Sequence, residues 1–365
     1  MKIVKFGYPL FLIFTLICCS SQKTEWQGTI EVVDGVTVVK NPLDPMYGEE
    51  ILAIEEELSI GVAEGAEEYM FQNAWEVVVD NSERIFVSDR RGFYIKVFDK
   101  FGKYVKTIGR KGQGPGEFSQ ISSIQITPRN ELMVYERNGF KLTFFSLDGD
   151  YIRTVLLKGI QAFWVRENSK GNYFESSVEF QGQYNTNTFR VATEVKEYGS
   201  DFTFIKTIAK DKFRNANVPL RHDMLARFPS FDLLICGYKD SYELHFINLE
   251  GEIVRKVIKD YSPIEVSEEE KIRRKLPESS ELPKHFPAFQ DFSVDEEGRI
   301  YVQLFERQMD GDKFYYDVFD PKSRYISRIR LNALPKFWKN GKMYTIEADD
   351  EGFQVIKSYK VTWNY

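Results

Sequence analysis

Three acid–arginine dipeptides recur at the ends of strand-like runs: Asp89-Arg90, Glu136-Arg137 and Glu306-Arg307. A guanidinium presents its donors as a planar fork, so several arginines around one opening can grip an anionic or polar ligand bidentately. The same residues can equally form salt bridges and a solvated rim, which contribute little energy. A second set is aromatic: Phe118, Phe163-Trp164, Phe228, Phe289 and Phe337-Trp338. Exposed, such rings stack on sugars or clamp a peptide. Buried, they pack one element against the next, which is the expectation for most of them. Trp164 and Trp338 are expected to keep some surface in solvent, because a large indole is rarely covered completely. Arg90, Arg137, Arg307, Trp164 and Trp338 are therefore the candidate ligand-binding residues.

Candidates for catalysis are sparse. His222, His245 and His285 form no His-x-His or His-x-x-x-His pair, so spacing gives no sign of a metal site. Asp310-Gly311-Asp312 is too short for a calcium loop and reads as a turn. Cys236 lies in the apolar run Leu233-Leu234-Ile235-Cys236 and reads as a small buried hydrophobe. Gly112-Gln113-Gly114-Pro115-Gly116 lacks the Gly-Lys-Ser/Thr ending of a phosphate loop, and a strand pattern follows it rather than a helix. It is read as a tight crossing between two strands, with glycine supplying the backbone freedom. No Gly-x-Ser-x-Gly nucleophile elbow is present. No catalytic residue, cofactor or metal is assigned.

These residues must be positioned by a repeat. Arg84-Ile85-Phe86-Val87, Tyr94 to Asp99 and Gly102-Lys103 return as Glu131-Leu132-Met133-Val134, Lys141 to Ser146 and Gly149-Asp150. Phe98 and Phe145 stand 47 positions apart, as do Val87 and Val134. A period in the forties with several short strands indicates propeller blades. More worn copies begin near Gly171, Leu233, Gly298 and Gly341, giving six. The expected fold is an all-β, six-bladed β-propeller of four-stranded antiparallel blades over residues 28–365. Residues 28–39 read as a hairpin, part of which is expected to complete the last blade and close the ring. Residues 262–289 break the rhythm. There Ser267-Glu268-Glu269-Glu270 is a capping box opening a short helix through Lys275, followed by Pro277, Pro283 and Pro287. This insertion is either a partial lid over the channel or a packed surface excursion. In such a ring the acid–arginine loops open on the same face as the Gly-rich crossing.

The leader and the charge restrict location and partners. Lys2 and Lys5 precede the apolar run Phe6 to Ile17, which fits a secretory signal peptide over residues 1–18. Leu16-Ile17-Cys18-Cys19 is similar to a bacterial lipobox, with Cys19 as the lipidated residue and 19–27 as a tether. A plain secreted chain or a retained anchor are the alternatives. The formal charge is −6, and loss of the leader lysines makes it −8. That argues against nucleic acid as a partner, because phosphate binding needs a basic footprint.

The chain resembles the six-bladed β-propeller lipoproteins of Gram-negative bacteria, relatives of NHL-repeat propellers. The resemblance rests on Ile85 to Asp89, on Val97 to Lys103, on Phe292 to Val302, on Val39 to Pro42, and above all on Ile108-Gly109-Arg110-Lys111-Gly112-Gln113-Gly114-Pro115-Gly116-Glu117-Phe118. It implies a ring with a central channel, exposed to the periplasm or the cell surface, and no single reaction. The resulting reading is a membrane-anchored, non-catalytic binding propeller, monomeric, docking a glycan, a peptide or an envelope protein at its channel mouth. The rival is a metal-dependent lyase or lactonase with its site in the channel.

Overall fold

The computed structural model describes residues 25–48, 51–157, 162–184, 186, 188–217, 223–273, 275, 282–307, 313–349 and 351–364. They form six sheets, antiparallel except for one parallel pair, arranged as a ring of blades. The inner strands are Ala74–Val79, Ser123–Ile126, Ala162–Glu167, Leu225–Ser230, Asp291–Val294 and Phe337–Lys339, for blades 1 to 6 in order. Second strands such as Ile85–Asp89 are buried along their whole length, because a neighbouring blade covers each face. The outer strand Tyr104–Ile108 alternates instead, with only its inward residues covered. Six apolar clusters fill the six seams. One joins Phe86 and Val97 of blade 1 to Phe118 and Phe145 beside blade 2, and another joins Tyr344 of blade 6 to Val87 and Phe98 of blade 1. Each fully buried Phe contributes roughly 1.5–3 kcal/mol relative to exposure.

Turn chemistry explains the hairpins. Asp80 accepts from the Ser82 and Arg84 amides at 2.9 and 2.8 Å, and Asp295 does the same for Glu297 and Arg299 at 3.0 and 2.8 Å. These carboxylates cap the reversal and fix where the next strand starts. Gly102 and Gly149 take left-handed φ angles of 80° and 89° at the third hairpin of blades 1 and 2.

Ring closure departs from the expectation. The outermost strand of blade 6 is Leu52–Ile60, paired antiparallel with Gln354–Trp363. The hairpin Thr29–Val33 and Val36–Asn41 joins blade 4 instead, where Val36–Asn41 runs parallel to the outer strand Ile253–Lys259. Residues 28–39 therefore do not complete the last blade. The chain then crosses the rim of blade 5, where the Met46 and Tyr47 amides donate to the Tyr325 and Ile326 carbonyls at 3.1 and 2.8 Å. The N-terminal segment is thus a belt over blades 4, 5 and 6. Buried Asn41 pins it: it accepts from the Tyr325 amide at 2.7 Å and donates to the Ser323 carbonyl at 3.0 Å.

The insertion holds the helix Glu268–Arg273, shorter than the expected run to Lys275. Phe286 stacks on Phe305 of blade 5 at 4.8 Å, and the Ala288 amide donates to the Lys239 carbonyl in the second hairpin of blade 4 at 2.8 Å. Its described part is a packed excursion between two hairpins. Among the described residues no helix is long and apolar enough to cross a membrane.

Candidate functional site: the channel and its mouth

Inner strands end near the axis, so a charge on each can meet charges from blades far away in sequence. Five charges are drawn together there among the described residues: Glu76 in blade 1, Arg166 in blade 3, Arg227 in blade 4, Asp291 in blade 5 and Lys336 one residue before the inner strand of blade 6. Arg166 reaches past blade 2 to donate to Glu76 at 3.1 Å, while the Ile124 amide of blade 2 donates to the other Glu76 oxygen at 2.7 Å. Arg227 holds the Asp291 carboxylate with both oxygens in hydrogen bonds. Lys336 feels Asp291, Arg227, Glu76 and Arg90 at once, and its ammonium lies near the Trp75 ring of blade 1. Solvent reaches Lys336, yet protein crowds it from several blades, as in a narrow opening. Burial pushes its pKa below the usual lysine value; Asp291 and Glu76 pull it up, and Arg227 and Arg90 push it down further.

Arg90 and Arg137 stand beside this cluster. The Arg90 guanidinium lies 3.2 Å from the centroid of Trp75, and the Lys336 ammonium lies 5.8 Å from the same ring. Arg90 also donates to the carbonyls of Ile121 and Ser122 at 3.2 and 3.4 Å. That ties the second hairpin of blade 1 to the crossing that enters blade 2, so both lie on one face. Arg137 lies over Phe163 at 5.1 Å. Burial pushes the Arg90 pKa down, Glu76 opposes this, and Arg137 adds to it by repulsion. Trp75 and Phe163 are 39% and 43% exposed, high for aromatics this close to a channel.

The acids of the dipeptides have a different task. Asp89 accepts from the amides of Gln72, Asn73, Arg91 and Gly92 at 2.6 to 3.1 Å. Glu136 accepts from the Ser119 amide at 2.7 Å and pairs with Lys141 at 3.1 Å. These buried acids hold the crossings in place and leave the adjacent arginines to the mouth. In the Gly-rich crossing, the Gly112 amide donates to the Phe118 carbonyl at 3.0 Å and the Gly114 amide to Glu117 at 2.9 Å. Those donors are spent inside the loop rather than aimed at a phosphate.

The 6-bladed beta-propeller family DUF5128 matches residues 64–356. The chain belongs to this family. Among solved structures, a Bacteroides fragilis protein described as exported is similar at 13% identity and a TM-score of 0.60, covering 90% of this chain and 100% of its own. A member of the duf4221 family from Bacteroides vulgatus is similar at 12% identity and a TM-score of 0.54, covering 86% and 99%. Both likenesses show the fold alone. A Xanthomonas campestris gluconolactonase reaches 13% identity, 80% and 88% coverage and a TM-score of 0.45, a level that carries no argument. No curated protein matches the chain.

Within this DUF5128 ring the sequence candidates part company. Arg90 and Arg137 meet at the mouth. Arg307 ends the strand Ile300–Arg307, paired with Phe314, and its side chain lies outside the described residues. Trp164 is half-buried and packs into the seam between blades 3 and 4. Trp338 does not reach the mouth: it is 8% exposed, stacks on Tyr301 at 4.6 Å and donates to Ser293 at 3.0 Å. A tyrosine face and a hydroxyl partner let the whole indole be covered. His222, Asp310 to Asp312 and Cys19 lie outside the described residues. His245 contacts Glu243 at 2.7 Å and packs at a tilt against Tyr238 within blade 4. Cys236 is buried and its thiol is pushed up to about 12, so it is a poor nucleophile. Glu76, Trp75, Arg166, Arg227, Asp291 and Lys336 had no place among the sequence candidates. Apart from Trp75, their one signal is a charge interrupting, or abutting, an apolar inner strand.

Proposed function

We propose that the protein is a non-catalytic binding propeller of the cell envelope, lipid-anchored through Cys19 at the outer membrane, that docks a ligand or partner at the mouth of its channel. One observation carries the reading: Arg90 and Lys336 share the exposed Trp75 ring, and Arg137, which repels Arg90, lies over exposed Phe163. Partly dried cations left beside exposed aromatics are a poor way to stabilise a ring and a good way to hold a guest. The Gram-negative lipoprotein and NHL-repeat resemblance and the leader support an envelope location, as does the exported description of the Bacteroides fragilis neighbour.

The test of docking is a glycan and peptide binding screen with wild type and the triple variant R90A/R137A/K336A. Captured ligands should be lost from a variant that still folds; capture that survives places the docking face elsewhere. Cys19→Ala should release the protein from the membrane fraction, and retention there would sink the anchor. The rival, a metal-dependent lyase or lactonase, needs a cluster of ligands on the axis. Among the described residues no three His, Cys, Asp or Glu side chains lie together at metal-binding spacing. Near-stoichiometric zinc or calcium in protein purified without chelator would favour the rival.

A further inference from the structure

Among the described residues that meet at the channel mouth, positive charge exceeds negative, and the surplus faces solvent. Arg166 is matched by Glu76 and Arg227 by Asp291. Arg90, Arg137 and Lys336 have no carboxylate within ion-pair distance among the described residues, although the whole chain is acidic at −6. Aromatic rings back all three cations. A guanidinium resting on a ring keeps its N–H groups in its own plane, directed past the ring edge. Arg90 spends Nε and one terminal nitrogen on carbonyls. The Arg137 side chain donates to none of the described residues, so its whole fork is available.

We propose that the mouth is an oxyanion site: it takes a carboxylate or phosphate group of a larger ligand in the Arg137 fork, with Lys336 and Arg90 supplying the remaining charge. The proposal rests on the mouth being the docking face and names the chemical class it selects. A planar fork matches two oxygens of either group. An incoming anion also offsets the repulsion among three like charges. Neutral guests would leave that repulsion standing. Glu76 and Asp291, both held by arginines, keep those arginines from competing for the guest.

Titration calorimetry at low salt tests this with two anionic probes, oligogalacturonate and inorganic tripolyphosphate, and with fully methyl-esterified oligogalacturonate as the neutral match. At least one anionic probe should bind, the esterified probe should not, and affinity should fall as salt rises. R137A and K336M should each weaken binding about ten-fold, as expected for loss of a charged hydrogen bond. K357A, at a matched pair on the outer edge of blade 6, should change nothing. Preference for oligogalacturonate assigns the group as a carboxylate, and preference for tripolyphosphate assigns it as a phosphate. Binding of neither anion, or binding that R137A and K336M leave intact in folded protein, overturns the oxyanion site. Should the triple variant instead lose only neutral glycans or peptides, the docking face stands and the oxyanion class fails.

Discussion

Two charge clusters in this ring obey opposite rules. In the seam between blades 4 and 5, Asp317 is fully buried and accepts from Tyr242 at 2.7 Å, Tyr325 at 2.8 Å and Arg328 at 2.9 Å, with the Lys259 ammonium at 3.5 Å. Arg328 continues to Glu306 at 3.2 Å, so two cations face two anions. Burial pushes the Lys259 pKa down and Asp317 opposes it; burial, with Asp317 adding to it, pushes the Tyr242 hydroxyl well up. Among the described channel residues named here, five cations face two anions, and the three unmatched cations are those at the mouth. Balance in a largely buried seam, with Glu306 at its wet edge, serves the fold, because an unpaired buried charge costs several kcal/mol. Imbalance in a wet opening weakens the fold slightly and serves whatever enters.

The comparison breaks most visibly at Asp317. D317A strands two cations and two tyrosine hydroxyls, and should cost about 3–5 kcal/mol in urea unfolding. A loss below about 1 kcal/mol would mean that the seam relaxes or fills with water, and the contrast would fail. Next is Asn41, which ties the belt to the same seam at Tyr325 and Ser323. N41A should cost about 1–3 kcal/mol, the penalty for leaving a buried amide and carbonyl unpaired. Hydrogen exchange should then rise at Tyr325 without changing the inner strands.

The mouth should respond with the opposite sign. K336M is expected to leave stability unchanged or to raise it by up to about 1 kcal/mol, since an ammonium crowded by Arg90 and Arg227 is replaced by an apolar chain of similar length. The folded Lys336 pKa is lowered, so its penalty is full below that pKa and fades as pH rises through it. The stability gap between K336M and wild type should therefore narrow on going from neutral to alkaline pH. A gap that widens would place Lys336 in a stabilising pair. The smallest effect belongs to the matched surface pair Arg153 and Glu131, a bidentate contact at 2.7 and 2.8 Å. R153A should cost under about 1 kcal/mol. Arg153 holds the Glu131 carboxyl below its usual value, so this contribution is present above the unfolded glutamate pKa and lost as pH falls through the lower folded one.

Blades 1 and 2 were legible because their hairpins depend on local chemistry: Asp80, Asp99, Gly102 and Gly149 impose the same reversals at the same spacing. The closing strand was not. Leu52–Ile60 is solvated along most of its length, and Glu55-Glu56-Glu57 interrupts the alternation of Leu52, Ile54, Leu58 and Ile60. Backbone pairing with Gln354–Trp363 holds it there. Thr29–Asn41 alternates well and invited the wrong partner, because a strand pattern specifies a hairpin and not the sheet it joins. At the mouth, Arg90 and Arg137 could be found because each follows an acid that caps a crossing. Trp75, Glu76, Arg166, Arg227, Asp291 and Lys336 come from five blades, and only ring closure makes them neighbours. Trp338 misled because its indole nitrogen finds Ser293 within the seam.

The central claim is that the unmatched cations serve a guest rather than the fold. Urea unfolding of wild type and of the R137A/K336M variant, each with and without a saturating anionic probe from the titration, tests it most directly. Without probe, the variant should be at least as stable as wild type. With probe at about 100 times its Kd, wild type alone should gain about 2.7 kcal/mol. A variant that is clearly less stable without probe, or that gains as much from the probe as wild type does, would contradict the account.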